Sequence, residues 1–185
     1  MRVTGVRLIE ADQAPLLARA HYARGNPGPI VAALAHVPEL LEVTMPFLDV
    51  ALGPSASDAR TKELVILRTS AVAGCRYCIA AHTVAARDSG LTVAEVAALR
   101  GARPTETAFT DPRELALLRW VDAVASGGPV ADDARNAARE HLEDPDLVEL
   151  TLLVGATLLL NRFCTALELP TSPRVRRRLA EEGWP

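Results

Sequence analysis

The sequence predicts an all-α fold in a single domain, and three observations carry that prediction. Of the 185 residues, 49% are apolar but only 4% are aromatic, so the core must be built from Ala, Leu and Val. Ala and Leu favour helix, and Ala lets helices approach closely. No run of alternating β-branched and polar residues lies between hairpin turns. Helix-start and helix-stop residues, in contrast, recur along the whole chain. The length suits one compact core, so residues 1–185 are read as one domain.

The first helix is expected over residues 13–24, stopped by the Gly25-Asn26-Pro27-Gly28-Pro29 breaker. A second helical region covers 30–51, broken near His36-Val37-Pro38, kinked at Pro46 and ended by the Gly53-Pro54-Ser55 turn. Asp58 then caps a helix that carries Lys62, Glu63, Leu64, Leu67 and Ala71 towards Gly74. Beyond Gly74 a new helix spans 76–89 and is closed by Gly90. Thr92-Val93-Ala94-Glu95 has the Ser/Thr-x-x-Glu form of a capping box and opens a short helix ending at Gly101. Asp111-Pro112-Arg113-Glu114 supplies a cap, a proline at the first helical position and an acidic first turn. That helix runs to Ser126, where Gly127-Gly128-Pro129 stops it. Two more are expected over 131–142 and 146–167, and a basic terminal helix starts after Ser172-Pro173.

Composition excludes several classes of function. A net charge of −3 lacks the basic surplus of a nucleic-acid binder, so no nucleic-acid partner is expected. Residues 1–10 hold no apolar run long enough for a signal peptide. The most apolar stretch, 147–160, is interrupted by Glu149, ends at Asn161-Arg162 and is too short to span a bilayer. A buried core helix, no membrane association and a cytoplasmic location are expected. The chain has 3 cysteines, an odd number, which is no disulfide framework. Cys75 and Cys78 form a Cys-x-x-Cys pair, which in a reducing compartment points to redox chemistry or metal binding.

On a helix beginning at position 75, Cys75, Cys78 and His82 lie three and four apart and share one face. Cys75 falls at the helix N-terminus, where unpaired N–H groups favour a thiolate. His82, one turn past Cys78, is placed to take its proton. An activated thiolate, a base and a resolving thiol are what a two-cysteine redox cycle requires. Glu63 lies on the preceding helix, and the two helices joined at Gly74 must pack together. A carboxylate near that turn can orient the imidazole and raise its basicity. Periodicity alone does not bring Glu63 to His82. Two Cys and one His also supply three zinc ligands, but no second Cys/His cluster offers a fourth.

The order Glu63-x11-Cys75-x2-Cys78-x3-His82 resembles the core motif of the alkylhydroperoxidase D-like branch of the carboxymuconolactone decarboxylase superfamily. Lys62-Glu63-Leu64-Val65, Gly74, Ala80-Ala81-His82, and the later Asn161-Arg162-Phe163 with Leu169-Pro170 extend the likeness over most of the chain, with the motif core at about 58–90. The resemblance implies an all-helical fold assembled into trimers or hexamers. It also implies a thiol peroxidase or disulfide exchanger acting on an organic hydroperoxide or disulfide and regenerated by a thiol reductant. Cys78 would attack the peroxide, Cys75 would resolve the sulfenic acid, His82 would be the base and Glu63 would complete the relay. Sulfur supplies the electrons, so no metal or organic cofactor is implied. One departure stands out: the best-known alkylhydroperoxidase D proteins have a His where this chain has Tyr77, and a phenol is no base near neutral pH. The same superfamily offers a non-redox alternative, a lactone decarboxylase using His82 and Glu63 as acid and base; the cysteine pair counts against it.

Cys164, within an apolar helix, is expected to be a buried small hydrophobe and not a third catalytic thiol. His21, His36 and His141 have no matching partners and are read as packing or surface residues. The basic run Arg174-Val175-Arg176-Arg177-Arg178, with Glu181 and Glu182 beside it, reads as a solvated or subunit-contact face.

Overall fold

The computed structural model describes residues 5–184, and among them every regular element is helical. Two 3-10 segments, Ala11–Gln13 and Leu16–Tyr22, precede α1 (Pro29–Leu34) and α2 (Pro38–Leu52). Then come α3 (Ala59–Ala73), α4 (Arg76–Asp88), α5 (Val93–Leu99) and α6 (Pro112–Ser126). A one-turn 3-10 segment, Thr105–Thr107, joins α5 to α6. The chain closes with α7 (Asp132–His141), α8 (Asp144–Ala166) and α9 (Pro173–Glu181). The all-α expectation holds.

The caps are those expected from the residues. Asp58 accepts from the Thr61 amide at 2.7 Å. The Thr92 hydroxyl accepts from the Glu95 amide while the Glu95 carboxylate accepts from the Thr92 amide at 2.7 Å, a complete capping box. Asp111 and Ser172 cap α6 and α9. One expectation needs correcting: residues 13–24 do not form one continuous helix. Ala14 is extended ahead of Pro15, and proline disfavours a helical conformation in the residue before it. The segment therefore divides into 3-10 turns.

α3 is the central helix. Leu64, Val65, Ile66 and Leu67 are consecutive and all fully buried, because α4, α6 and α8 surround the helix. Leu117, Leu118 and Val121 of α6 and Leu150, Leu153 and Val154 of α8 complete that core with Phe109. α8 is long and apolar enough to cross a membrane, but it packs against α2, α3, α4 and α6 as a core helix. This arrangement fixes the α3–α4 hairpin from two sides and with it the motif residues.

Candidate active site

The site is built at the turn between α3 and α4. Gly74 ends α3 at φ +70°, a left-handed conformation that glycine adopts without the penalty a Cβ imposes. Its N–H reaches back to the last carbonyls of α3, and the Cys75 amide donates to the Ser70 carbonyl at 3.1 Å. The chain then re-enters helix at once. Cys75 becomes the N-cap of α4, and its Sγ accepts from the Cys78 amide at 3.3 Å. A sulfur thus does the work usually done by a Ser or Asp oxygen, which favours its ionised form.

Cys75 and Cys78 lie with their sulfurs 2.6 Å apart, both buried and both free thiols. The Cys75 thiol is pulled down to about 3, by hydrogen bonding with Cys164 and Cys78 and by the Cys78 amide, against the cost of burial. Hydrogen bonding with Cys164 and Cys75, together with burial, pushes the Cys78 thiol up. Of the two, Cys75 is the more readily ionised, because its sulfur accepts from the Cys78 amide at the helix N-terminus.

Glu63 and His82 meet across the α3–α4 interface, with Nδ1 of His82 2.8 Å from Oε2 of Glu63. Both side chains are partly exposed, so the pair forms a polar rim beside the buried sulfurs. His82 stands one helical turn beyond Cys78 on the same face of α4. With Nδ1 engaged by the carboxylate, Nε2 is the nitrogen left to exchange protons. The structure thus brings together the four residues singled out by the motif as two contacting pairs.

Three further residues belong to the surroundings. Tyr77 is half-buried against the cysteine cluster, and burial followed by the nearby sulfurs raises its phenol well above the ordinary value. It stays a neutral side chain there, as expected from the departure at this position. Asn161 of α8 is buried and donates to the Thr157 carbonyl at 2.7 Å and to the Ser70 hydroxyl at 3.3 Å. It ties α8 to the residue whose carbonyl holds the Cys75 amide. Cys164 is buried, as expected, but it packs in one apolar cluster with Cys75, Cys78 and Leu169. No local spacing signals that neighbour, because α8 reaches the site only through tertiary packing. Among the described residues no group of three or more His, Cys, Asp and Glu side chains is arranged to hold a metal ion.

Comparison with known proteins places this geometry in context. Residues 38–108 match the model of the carboxymuconolactone decarboxylase family. The uncharacterized protein YdfG of Bacillus subtilis (strain 168) is 30% identical over 115 residues, 61% of this chain and 77% of that protein. A peroxidase-related protein of Ralstonia eutropha JMP134, solved as an alkylhydroperoxidase AhpD core, superimposes with a TM-score of 0.80 over 95% of both chains at 19% identity. An Agrobacterium tumefaciens protein of unknown function, suggested to be the antioxidant-defence protein AhpD, is 27% identical with a TM-score of 0.67. That match covers 76% of this chain and 95% of the other.

Proposed function

Because this chain belongs to the carboxymuconolactone decarboxylase family and has the alkylhydroperoxidase D core fold, we propose that it is a thiol-dependent peroxidase that reduces organic hydroperoxides through Cys78 and Cys75. The observation that carries this reading is the pair of buried sulfurs 2.6 Å apart beside the Glu63–His82 hydrogen bond. His82 takes the proton of Cys78, and the thiolate attacks the terminal oxygen of the hydroperoxide. The O–O bond breaks, the alkoxide leaves as the alcohol with the proton held by His82, and Cys78 becomes a sulfenic acid. The Cys75 thiolate then attacks the Cys78 sulfur, and hydroxide leaves and is protonated to water. Peroxide and two thiols become alcohol, water and one disulfide, which an external thiol reductant returns to the start. No cofactor enters, and free thiols of this kind suit a reducing compartment such as the cytoplasm.

Stoichiometry tests the cycle. Reduced protein freed of reductant and given one equivalent of cumene hydroperoxide should lose two thiols per peroxide consumed, and Cys78→Ser should consume none. Unchanged thiols and peroxide in the wild type would remove the reading. An activity retained by a Cys75→Ser/Cys78→Ser double variant would instead favour the decarboxylase-like use of His82 and Glu63.

The working unit is proposed to be a homo-oligomer, a trimer or hexamer. Leu40, Val43, Phe47 and Val50 recur at helical spacing on α2 and are exposed, and Val148, Leu152 and Leu159 are exposed on the neighbouring α8. Monomers rarely leave such rows in water. Val50, 77% exposed, contributes nothing to the monomer core, so Val50→Asp should shift the wild-type assembly towards monomer in sedimentation velocity with no loss of helicity. A wild-type protein that sediments as a monomer would overturn the assembly.

A further inference from the structure

The mechanism above uses two of the three cysteines, yet the third is not remote from them. Cys75, Cys78 and Cys164 form one buried cluster with Ala33 and Leu169, and Tyr77 and Phe163 pack against it. The three cysteines are 0%, 5% and 1% exposed, so Cys75 and Cys164 are closed off and Cys78 is the one with access to solvent. Two elements bring Cys164 there. α8 packs along α4, and Asn161, one turn before Cys164, anchors that stretch to Ser70 beneath the α3–α4 turn. After α8 the chain reverses at Glu168, which has φ +49°, and the Leu169 amide donates to the Cys164 carbonyl at 3.0 Å. Leu169 is thereby folded over the cluster.

The packing also has an electrostatic consequence. The neighbouring Cys164 thiol is the largest influence on the titration of both Cys75, which it lowers, and Cys78, which it raises. The Cys164 thiol is itself raised to about 12, first by its hydrogen bond with Cys75. Cys164 is thus a buried thiol packed in the same cluster as the Cys75–Cys78 pair, within reach of any disulfide formed there.

We propose that Cys164 is a third redox thiol, which exchanges into the Cys75–Cys78 disulfide inside the buried cluster. Cys164 passes its proton towards the departing Cys78 sulfur and attacks the Cys75 sulfur. The Cys75–Cys78 bond breaks, a Cys75–Cys164 bond forms, and Cys78 leaves as a thiolate that takes up the proton. No electrons enter or leave the protein in this step. Oxidation is thus passed from the α4 hairpin to a covalent link between α4 and α8, while the attacking Cys78 is restored as a thiol. The exchange rests on the proposed function only for the oxidant that first makes the Cys75–Cys78 disulfide; any disulfide-forming reagent can replace the peroxide.

The test separates the two. Full-length Cys78→Ser, fully reduced, is treated with diamide under conditions that remove two thiols from the wild type. Free thiols should fall from two to none, with an intramolecular peptide linked through Cys75 and Cys164 in mass spectra. The Cys78→Ser/Cys164→Ser variant should keep its one thiol. In parallel, the wild type oxidised by one equivalent of diamide, quenched with acid and labelled with N-ethylmaleimide in mildly acidic denaturant should carry label on both Cys164 and Cys78, and this measurement decides if the serine variant fails to fold. Two persistent thiols in folded Cys78→Ser, or label on Cys164 alone in the wild type, would overturn the exchange. A linked peptide with diamide but no reaction of the wild type with cumene hydroperoxide would leave the exchange standing and remove the peroxidase reading. Peroxide consumption without any linked peptide would do the reverse.

Discussion

His82→Gln slows the peroxide-dependent loss of thiols by roughly 10²–10⁴-fold while leaving two thiols lost per peroxide, the size expected when a positioned base is removed. The reason lies in how the proton is held in the reduced pair. The Cys78 thiol is pushed up by its neighbours and by burial, so it needs a local acceptor near neutral pH. In the proposed cycle His82, held by Glu63 at 2.8 Å, is that acceptor. Without the imidazole, Cys78 depends on solvent hydroxide, and the rate climbs about tenfold per pH unit below the raised thiol value. Glu63→Gln keeps the imidazole but loses its orienting carboxylate, so its rate falls in the same direction by less. Stopped-flow measurements of thiol oxidation against pH separate this from the alternative assignment. The Cys75 thiol is pulled down by its hydrogen bonds, so it is the more readily ionised of the two near neutral pH. Were Cys75 the attacking sulfur, the rate would be flat near neutral pH and indifferent to His82. A flat profile in His82→Gln would therefore reassign the attack to Cys75.

How far the residues alone reached this site depends on the range of the interaction that carries each part. The turn at Gly74 and the cap at Cys75 are local, and local rules located both. Cys75, Cys78 and His82 share a face of one helix, so their proximity follows from spacing. The Glu63–His82 contact crosses from α3 to α4, 19 positions apart, and periodicity could indicate only that two helices joined by one glycine pack together. Cys164 and Asn161 were beyond reach of local rules, because α8 comes to the site through packing on α3 and α4. An apolar run of Leu, Val and Ala marks a buried helix without saying which of its faces meets which neighbour. The 3-10 turns before α1 show the opposite limit: the helical tendency was legible, but Pro15 decided the local hydrogen-bond pattern.

The same limit hid the role of the single lysine in the sequence. Lys62 read as an ordinary helix residue beside Glu63, and lysine is seldom buried. In the fold it is 2% exposed, and its Nζ donates to the carbonyls of Ala51 and Gly53 and pairs with Glu149 of α8 at 3.0 Å. One ammonium thus satisfies the end of α2, the loop after it and a carboxylate that had seemed only to interrupt an apolar run. Ser55 and Ser57 donate to the same carboxylate. Lys62→Met keeps the volume but removes every donor, leaving two carbonyls without that partner and Glu149 without its counter-ion. Breaking a buried pair from one side costs about 3–5 kcal/mol, and the partial exposure of Glu149 places this variant at about 3 kcal/mol. Equilibrium urea unfolding measures it directly, and a loss below about 1 kcal/mol would mean that water replaces the ammonium without penalty. The pH dependence carries an independent sign. Ser55 and Lys62 hold the Glu149 carboxyl below its usual range of 4.5. Its contribution to stability is therefore fully present above the unfolded value and is lost as pH falls through the lower folded value. In Lys62→Met that depression shrinks, so the variant loses less stability than the wild type on acidification through that window. The difference between the two proteins narrows towards acid, which a purely steric effect of the substitution would not produce.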